Sequence, residues 1–412
     1  MSDSCIEEIY GIEILDSRGN PTIEVNIILE NGITARGIAP SGASTGTKEA
    51  YELRDGDEAR YNGKGVQKAI EFIDTEIAPA LEGLDIHDNI DELLIELDGT
   101  DNKSRLGANT ILATSIACWH AKAEDAQMPL FEYIGGKNAD TLPTPMMNII
   151  NGGEHASNNL AIQEFMVVPH GFDTFAEKLR AGTEVFHKLK SVISKSGHST
   201  AVGDEGGFAP HFNTANEALD CIVQAIQEAG YKANTEISIA LDIAASEFYK
   251  NKKYTIDGQI LTTEELIEYY ANLMTLYPIT SIEDPFHEGD IEGFKNFTKK
   301  FADKLQIVGD DIFCTNPKLI TEGIDGKYAN ALLVKPNQIG TISETLKAVK
   351  IAQSAGFKCV MSHRSGETED TTIAHLAVAT NCGQIKTGAP SRVDRTAKYN
   401  ELLRIETLLN LF

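Results

Sequence analysis

The amino-acid sequence predicts an α/β protein: a C-terminal (β/α)8-type barrel preceded by a smaller α+β domain. Two observations carry this. In the first third, runs rich in Ile and Val come first and helical patterns come after, the order of an α+β unit. From residue 146 onward, eight short apolar runs recur with amphipathic stretches between most of them. About eight strands over about 270 residues fit a closed barrel of parallel strands better than an open sheet.

Residues 6–15 and 22–29 alternate partially and read as strands; Asn31-Gly32 is a hairpin turn signal, and residues 33–39 supply a third strand. A loop of small residues, 40–46, comes next. Helical patterns cover residues 65–81, 87–97 and 107–126. The unit ends near Gly135-Gly136, before a linker at 141–145, so the division is 1–138 and 139–412. The eight apolar runs are 146–150, 162–168, 237–243, 279–283, 306–309, 331–334, 358–361 and 384–387, with amphipathic stretches at 215–229, 263–277 and 342–355 among those between them. The first two runs are joined by about a dozen residues without helical pattern, too short for a crossover, which leaves an antiparallel pair open there.

Composition narrows the function. The 412 residues carry 36 Lys and Arg against 61 Asp and Glu, a formal net charge of −25, with 42% hydrophobic and 24% charged residues. This is a globular composition, and the negative balance opposes non-specific binding to nucleic acid or anionic membrane. No apolar stretch approaches the roughly 18 residues of a membrane span. The opening MSDSCIEEIYG is acidic and is not read as a secretory signal. The six cysteines, Cys5, Cys118, Cys221, Cys314, Cys359 and Cys382, are scattered without a CxxC pair, as expected of idle thiols in a reducing cytoplasm.

The chemistry lies in the residues just after the apolar runs. The runs lead into Asp242, Glu283-Asp284, Asp310-Asp311, Lys335, Ser362-His363-Arg364-Ser365 and Lys386. In such a barrel the active site gathers at the C-terminal ends of the strands. One acid after one strand is usually a helix cap or a solvated loop residue. Six consecutive strands delivering acids and then bases is a different matter. Converging carboxylates repel unless a cation neutralises them, and all-oxygen ligation suits Mg²⁺ or Mn²⁺. Parity does not choose between Glu283 and Asp284, or between Asp310 and Asp311, because buried parallel strands are apolar on both faces. Upstream, residues 151–156 (NGGEHA) and 202–208 (VGDEGGF) set a histidine and acids among glycines. The loop 41–46 is not a P-loop, since Gly46 is followed by Thr47-Lys48, and neither GxGxxG nor HExxH occurs.

Taken together these segments resemble the enolases. The matching stretches are DSRGNPTIEV (16–25), PSGASTGTKEA (40–50), NIINGGEHASNN (148–159), QEFM (163–166), GDEGGFAP (203–210), LDIAASEFY (241–249), SIEDP (281–285), GDD (309–311), KPNQIG (335–340), SHRSGETED (362–370) and IKTGAPSR (385–392). They cover nearly the whole chain in the family's order. The resemblance implies a barrel whose second strand runs antiparallel, so that Gln163 and Glu164, at that strand's start, share the bowl. It further implies reversible dehydration of 2-phosphoglycerate to phosphoenolpyruvate with two Mg²⁺ ions, the second bound with substrate. By position, Asp242, Glu283 and Asp310 become ligands of the first ion, and Ser41, in a mobile loop, helps to hold the second. Lys335 becomes the base at C2, its pKa lowered by nearby cations and exclusion of water. Glu205 becomes the acid at the C3 hydroxyl. Arg364, Ser365 and Lys386 bind phosphate and carboxylate; His155, Gln163, Glu164 and His363 line the pocket.

The resemblance also implies a homodimer or octamer in the cytoplasm, with secondary surface partners and a cell-surface or secreted pool as further expectations. Two other readings compete. One is an acid-sugar dehydratase of the same superfamily, disfavoured by GDEGG, SHRSGE and the Ser41 loop. The other is a surface-adhesion or RNA-processing interaction role, for which no basic patch, terminal lysine or polar tail after Leu411-Phe412 offers support.

Overall fold

The computed structural model describes residues 4–43 and 45–411. Ser44 of the small-residue loop, the first three residues of the acidic N-terminus and Phe412 lie outside the described residues. Strands β1 (Ile6–Leu15), β2 (Pro21–Leu29) and β3 (Thr34–Ile38) form an antiparallel meander, its second turn made by Asn31-Gly32 with Gly32 at φ +83°. Ile23, Val25, Ile27 and Leu29 of β2 are fully buried, and β2 and β3 pack on the helix Ala108–Asp125. That packing is close: a Cβ at Gly37 would run into the Ala113 carbonyl oxygen. The helix expected over 65–81 forms in three pieces, with a π-helical turn, Ile73–Ile77, between Gln67–Phe72 and Ala78–Leu81. Pro79 explains the break, because it has no N–H for the α-helical ladder.

The eight apolar runs form one closed barrel. Its strands are β4 (Thr144–Asn151), β5 (Glu164–Val168), β6 (Ser238–Asp242), β10 (Ile279–Glu283), β11 (Gln306–Gly309), β12 (Ala331–Val334), β13 (Lys358–Ser362) and β14 (Gly383–Lys386). Thr144 and Pro145, expected in the linker, already belong to β4. The remaining neighbours pair in parallel, but β5 runs antiparallel to both β4 and β6. The short connection between the first two runs therefore makes the antiparallel pair. Between β6 and β10 the chain inserts a small meander, β7 (Tyr249–Lys250), β8 (Lys253–Ile256) and β9 (Gln259–Leu261). Helices cover the barrel. Ala215–Glu228, Thr263–Leu276 and Ile342–Ser354 are N-capped by Thr214, Thr262 and Thr341, which explains their starts. Val393–Leu411 forms a last helix. Among the described residues no helix is long and apolar enough to cross a membrane.

Two separate layers of core define the barrel wall. Met146, Met166, Val168, Ala240, Val308, Ala331, Leu333 and Val360 form one buried cluster of their own. Met147, Phe165, Leu241, Ile307, Leu332 and Cys359, their neighbours of opposite parity, belong instead to the large core under the helices. The first set is the filled lumen.

Candidate active site

The lumen register decides what the sequence left open. Side chains on a strand alternate faces. Stepping by two from the lumen residues leads from Ala240 to Asp242, from Val308 to Asp310 and from Leu333 to Lys335. On the reversed strand the same step leads from Met166 back to Glu164. Glu283 meets this set directly, since its Oε1 accepts from Lys386 Nζ at 2.8 Å. Asp284 turns away: at φ +41° its carboxylate oxygens accept the backbone N–H groups of Asp310 and Asp311 at 2.8 and 2.9 Å. It fastens the end of β10 to the end of β11, and Asp310 faces the bowl.

Two ammonium groups neutralise these acids. Lys386 Nζ, fully buried, lies 2.8 Å from Asp242 Oδ2, 2.8 Å from Glu283 Oε1 and 3.2 Å from Glu164 Oε1. Lys335 Nζ donates to Asp310 Oδ2, whose other oxygen accepts from Gln338 Nε2 at 2.8 Å. Burial pushes the Lys335 ammonium toward its neutral form, but Asp310 pulls harder the other way and holds its pKa above the ordinary lysine value. Burial, and then Asp242, raise Glu283 well above the usual carboxylate range.

A second group stands beside the first. His155, Glu164 and Glu205 bring ligand-type atoms within 4.8 Å of one another. Glu205 Oε2 accepts from Asn148 Nδ2 at 3.0 Å and faces His363 Nε2 at 3.3 Å. The loops carrying these residues fit only because glycines allow it: a Cβ at Gly207 would collide with Asn151 Oδ1. Burial, then Glu205, raise Glu164 well above its ordinary value. Burial also pushes Glu205 upward, but His155, His363 and Arg395 outweigh it and bring it well below. The two neighbouring carboxyls are thus shifted in opposite directions. Burial lowers both imidazoles, His363 to about 4, so both are neutral there. Arg395 donates to His363 Nδ1. A guanidinium only donates, so the His363 proton sits on Nε2 and points toward Glu205.

The N-terminal domain closes the bowl from one side. Ser41 exchanges backbone hydrogen bonds with Gly366 at 2.9 and 2.8 Å, and its hydroxyl bonds Glu52 at 3.2 Å and Arg54 at 3.1 Å. It is therefore not among the bowl's carboxylates. Ser365 Oγ accepts from the Ala43 N–H at 2.6 Å. Arg364 is paired with Glu49 of the same domain, at 2.9 and 3.2 Å. His155, Gln163, Glu164, Glu205, Asp242, Lys335, His363, Arg364, Ser365 and Lys386 all line one narrow cavity.

Sequence reasoning passed over Asn148, Gln338, Glu49 and Arg395. The first two lie inside quoted motifs, NIING and KPNQ. Glu49 lies in PSGASTGTKEA. Fully buried Arg395, which also holds the Arg364 and Ser365 carbonyls at 2.6 and 2.5 Å, sits in a helical stretch with no distinguishing pattern.

The donor set suits a divalent cation. Glu283 Oε2 and Glu164 Oε2 are buried oxygens without a hydrogen-bond partner among the described residues. Asp242, Glu283 and Asp310 offer hard oxygens from adjacent strands, and five buried carboxyls (Glu164, Glu205, Asp242, Glu283, Asp310) face the two ammonium groups of Lys335 and Lys386. Asp284, Asp310 and Asp311 form a further acidic cluster at the rim.

Comparison with known families gives two matches. The model described as Enolase, N-terminal domain, matches residues 6–134, and the model described as Enolase, C-terminal TIM barrel domain, matches residues 139–411.

Proposed function

The chain belongs to the enolase family, and on that premise we propose that it catalyses the reversible dehydration of 2-phosphoglycerate to phosphoenolpyruvate as a Mg²⁺-dependent hydro-lyase. The observation that supports this most is that Asp242 and Glu283 share the buried Lys386 ammonium while Asp310, on the next strand, pairs with Lys335, and that Lys335, Glu164 and Glu205 line one cavity with Asp242 and Lys386. Asp242, Glu283 and Asp310 would hold the first Mg²⁺, and Ser41 would take part at the second, bound with substrate. When bound, two such ions would supply positive charge at the substrate's carboxylate and so make the C2 proton more acidic. Enolase-superfamily sites are themselves the standard example of this chemistry, a Lys or His base paired with one or two Mg²⁺ ions.

The side chains divide the remaining work. Lys335 accepts the C2 proton as a neutral amine, which requires that its ammonium first give up a proton to solvent as its pairing with Asp310 is broken. Glu205 delivers a proton to the departing C3 hydroxyl, which requires that it be protonated at that moment, against the lowering its neighbours impose. His363, its tautomer set by Arg395, holds the Glu205 carboxyl in place. Arg364, Ser365 and Lys386 bind the substrate's anionic groups, and His155 and Gln163 line the pocket. The reading extends to a cytoplasmic homodimer or octamer, with residues 1–138 and 139–412 as its two domains.

The test is dehydration, followed as phosphoenolpyruvate absorbance from 2-phosphoglycerate and as 2-keto acid formation from a panel of sugar acids. Turnover confined to phosphoglycerate, lost in chelator and restored by Mg²⁺, is expected. Turnover of a sugar acid instead, or activity undiminished in chelator, would overturn the proposal.

A further inference from the structure

Two of the six cysteines, read from the sequence as idle thiols, meet in the fold. β13 and β14 pair in parallel with Cys359 opposite Gly383, so Cys382 stands one residue before the position facing Cys359. Neighbouring strands lie about 4.8 Å apart and rise about 3.3 Å per residue, which sets the two Cα atoms roughly 6 Å apart, within the ~4.4–6.8 Å that a disulfide spans. On a regular strand Cys382 and Gly383 would face opposite sides. Gly383 at φ +78° breaks that alternation, and Cys359 and Cys382 are buried in the same core, between the barrel wall and its helices. Their thiols interact directly. The Cys359 side chain, above all, lowers the Cys382 thiol below its ordinary pKa against the effect of burial, and the same contact raises Cys359. Thr380 Oγ1 lies 3.0 Å from Cys382 Sγ, where it can donate to a thiolate. Cys382 is also the more accessible of the two, 7% exposed against 1%.

We propose that Cys359 and Cys382 are a modification site, a thiol pair that an oxidant of the hydroperoxide class converts reversibly into a disulfide. Cys382, as thiolate, attacks a peroxide oxygen. The O–O bond breaks, the departing oxygen takes up the proton that Cys382 released, and Cys382 becomes a sulfenic acid. The Cys359 sulfur then attacks the Cys382 sulfur. The S–O bond breaks, and the hydroxide that leaves takes the Cys359 proton as water. Two thiols are oxidised and one peroxide is reduced. The new bond closes the chain into a ring from Cys359 to Cys382. That ring holds Ser362, His363, Arg364 and Ser365 together with the helix Thr372–Ala379. Oxidation thus ties down the segment that brings these side chains to the bowl and makes its local opening rarer. Dithiol reductants restore the two thiols, as suits a transient bond in a reducing compartment. The pairing is independent of the reaction that the bowl performs.

The test treats the full, folded chain with hydrogen peroxide, alkylates the remaining thiols on unfolding and maps the peptides by mass spectrometry. A peptide pair joined through Cys359 and Cys382, lighter by two hydrogen atoms and separated by dithiothreitol, is expected, while the buried Cys118 and Cys314 are recovered alkylated. Recovery of Cys359 and Cys382 both alkylated, or of Cys382 as a sulfinic acid with no partner, counts against the pair. Amide hydrogen exchange over residues 362–379 is expected to slow by about tenfold in the oxidised chain, and unchanged exchange would remove the protective consequence. In Cys359→Ala the second thiol is gone, so Cys382 is expected to pass on to the sulfinic acid. Cys382 left unoxidised in that variant would take away its role as the attacking thiol. If the variant does not fold, the peptide map of the parent decides alone.

Discussion

Lys335 and Glu205 reach the same cavity from distant parts of the chain, one from the end of β12 and the other from the 203–208 loop. If they divide proton removal from hydroxyl departure, their variants fail differently. Lys335→Ala is expected to abolish exchange of the C2 proton with solvent, with turnover down at least ~10²–10⁴-fold. Glu205→Gln is expected to lose net dehydration by a similar factor yet retain measurable exchange. Isotope exchange followed by NMR checks both, and normal exchange in Lys335→Ala would remove Lys335 from the role of base. At this scale the sequence announced the candidates but not their aim. Glu283 and Asp284 are adjacent acids after an apolar run, and only their hydrogen bonds in the fold separate the one that meets Lys386 from the one that ties β10 to β11. The ion pair that keeps Lys335 charged was equally out of reach, because it depends on a distance across two strands.

Elements were easier to read where periodicity or capping marks them. The barrel strands stood out as apolar runs bounded by polar residues, and the threonine caps place helix starts within one residue. The meander β7–β9 was missed because strands of two to four residues carry too little pattern. The π turn was missed because Pro79 breaks a ladder without ending the helix. Gly37 tests the contact between the N-terminal sheet and its helix. With the Ala113 carbonyl oxygen in the way of a would-be Cβ, Gly37→Ala is expected to destabilise by about 1–3 kcal/mol, read from denaturant unfolding. An unaltered midpoint would mean that the sheet can move away. The last helix offers a pH test. Glu401 Oε1 lies 3.2 Å from His375 Nε2, and Glu401 Oε2 accepts from Arg404 at 2.6 Å. The His375 bond, above all, holds Glu401 down at about 2. A depressed carboxyl stabilises fully above its unfolded value of about 4.3 and loses that contribution as pH falls toward 2. Glu401→Gln is therefore expected to be less stable than the parent at pH 6, the difference shrinking below pH 4. A difference constant with pH would assign the loss to packing.

At the scale of the molecule the barrel carries more buried negative charge than it neutralises, and this sets a dependence of global stability on pH and cation together. Burial, then Asp242, hold Glu283 well above the ordinary carboxyl range. A raised carboxyl binds its proton in the folded state at pH values where the unfolded chain has lost it. Stability without a divalent cation should then fall as pH rises through that window, the opposite sign to Glu401. A cation that replaces the proton cancels the fall, and because it competes with the proton its effect must grow with pH. Mg²⁺ at a hundredfold excess over its dissociation constant is expected to add about 2.7 kcal/mol. Melting curves from pH 6 to 9, in chelator and in Mg²⁺, should diverge on the alkaline side, and the divergence should largely disappear in Glu283→Gln. Parallel curves, or the same Mg²⁺ effect in that variant, would place the stabilising cation elsewhere than on the carboxylates of the lumen.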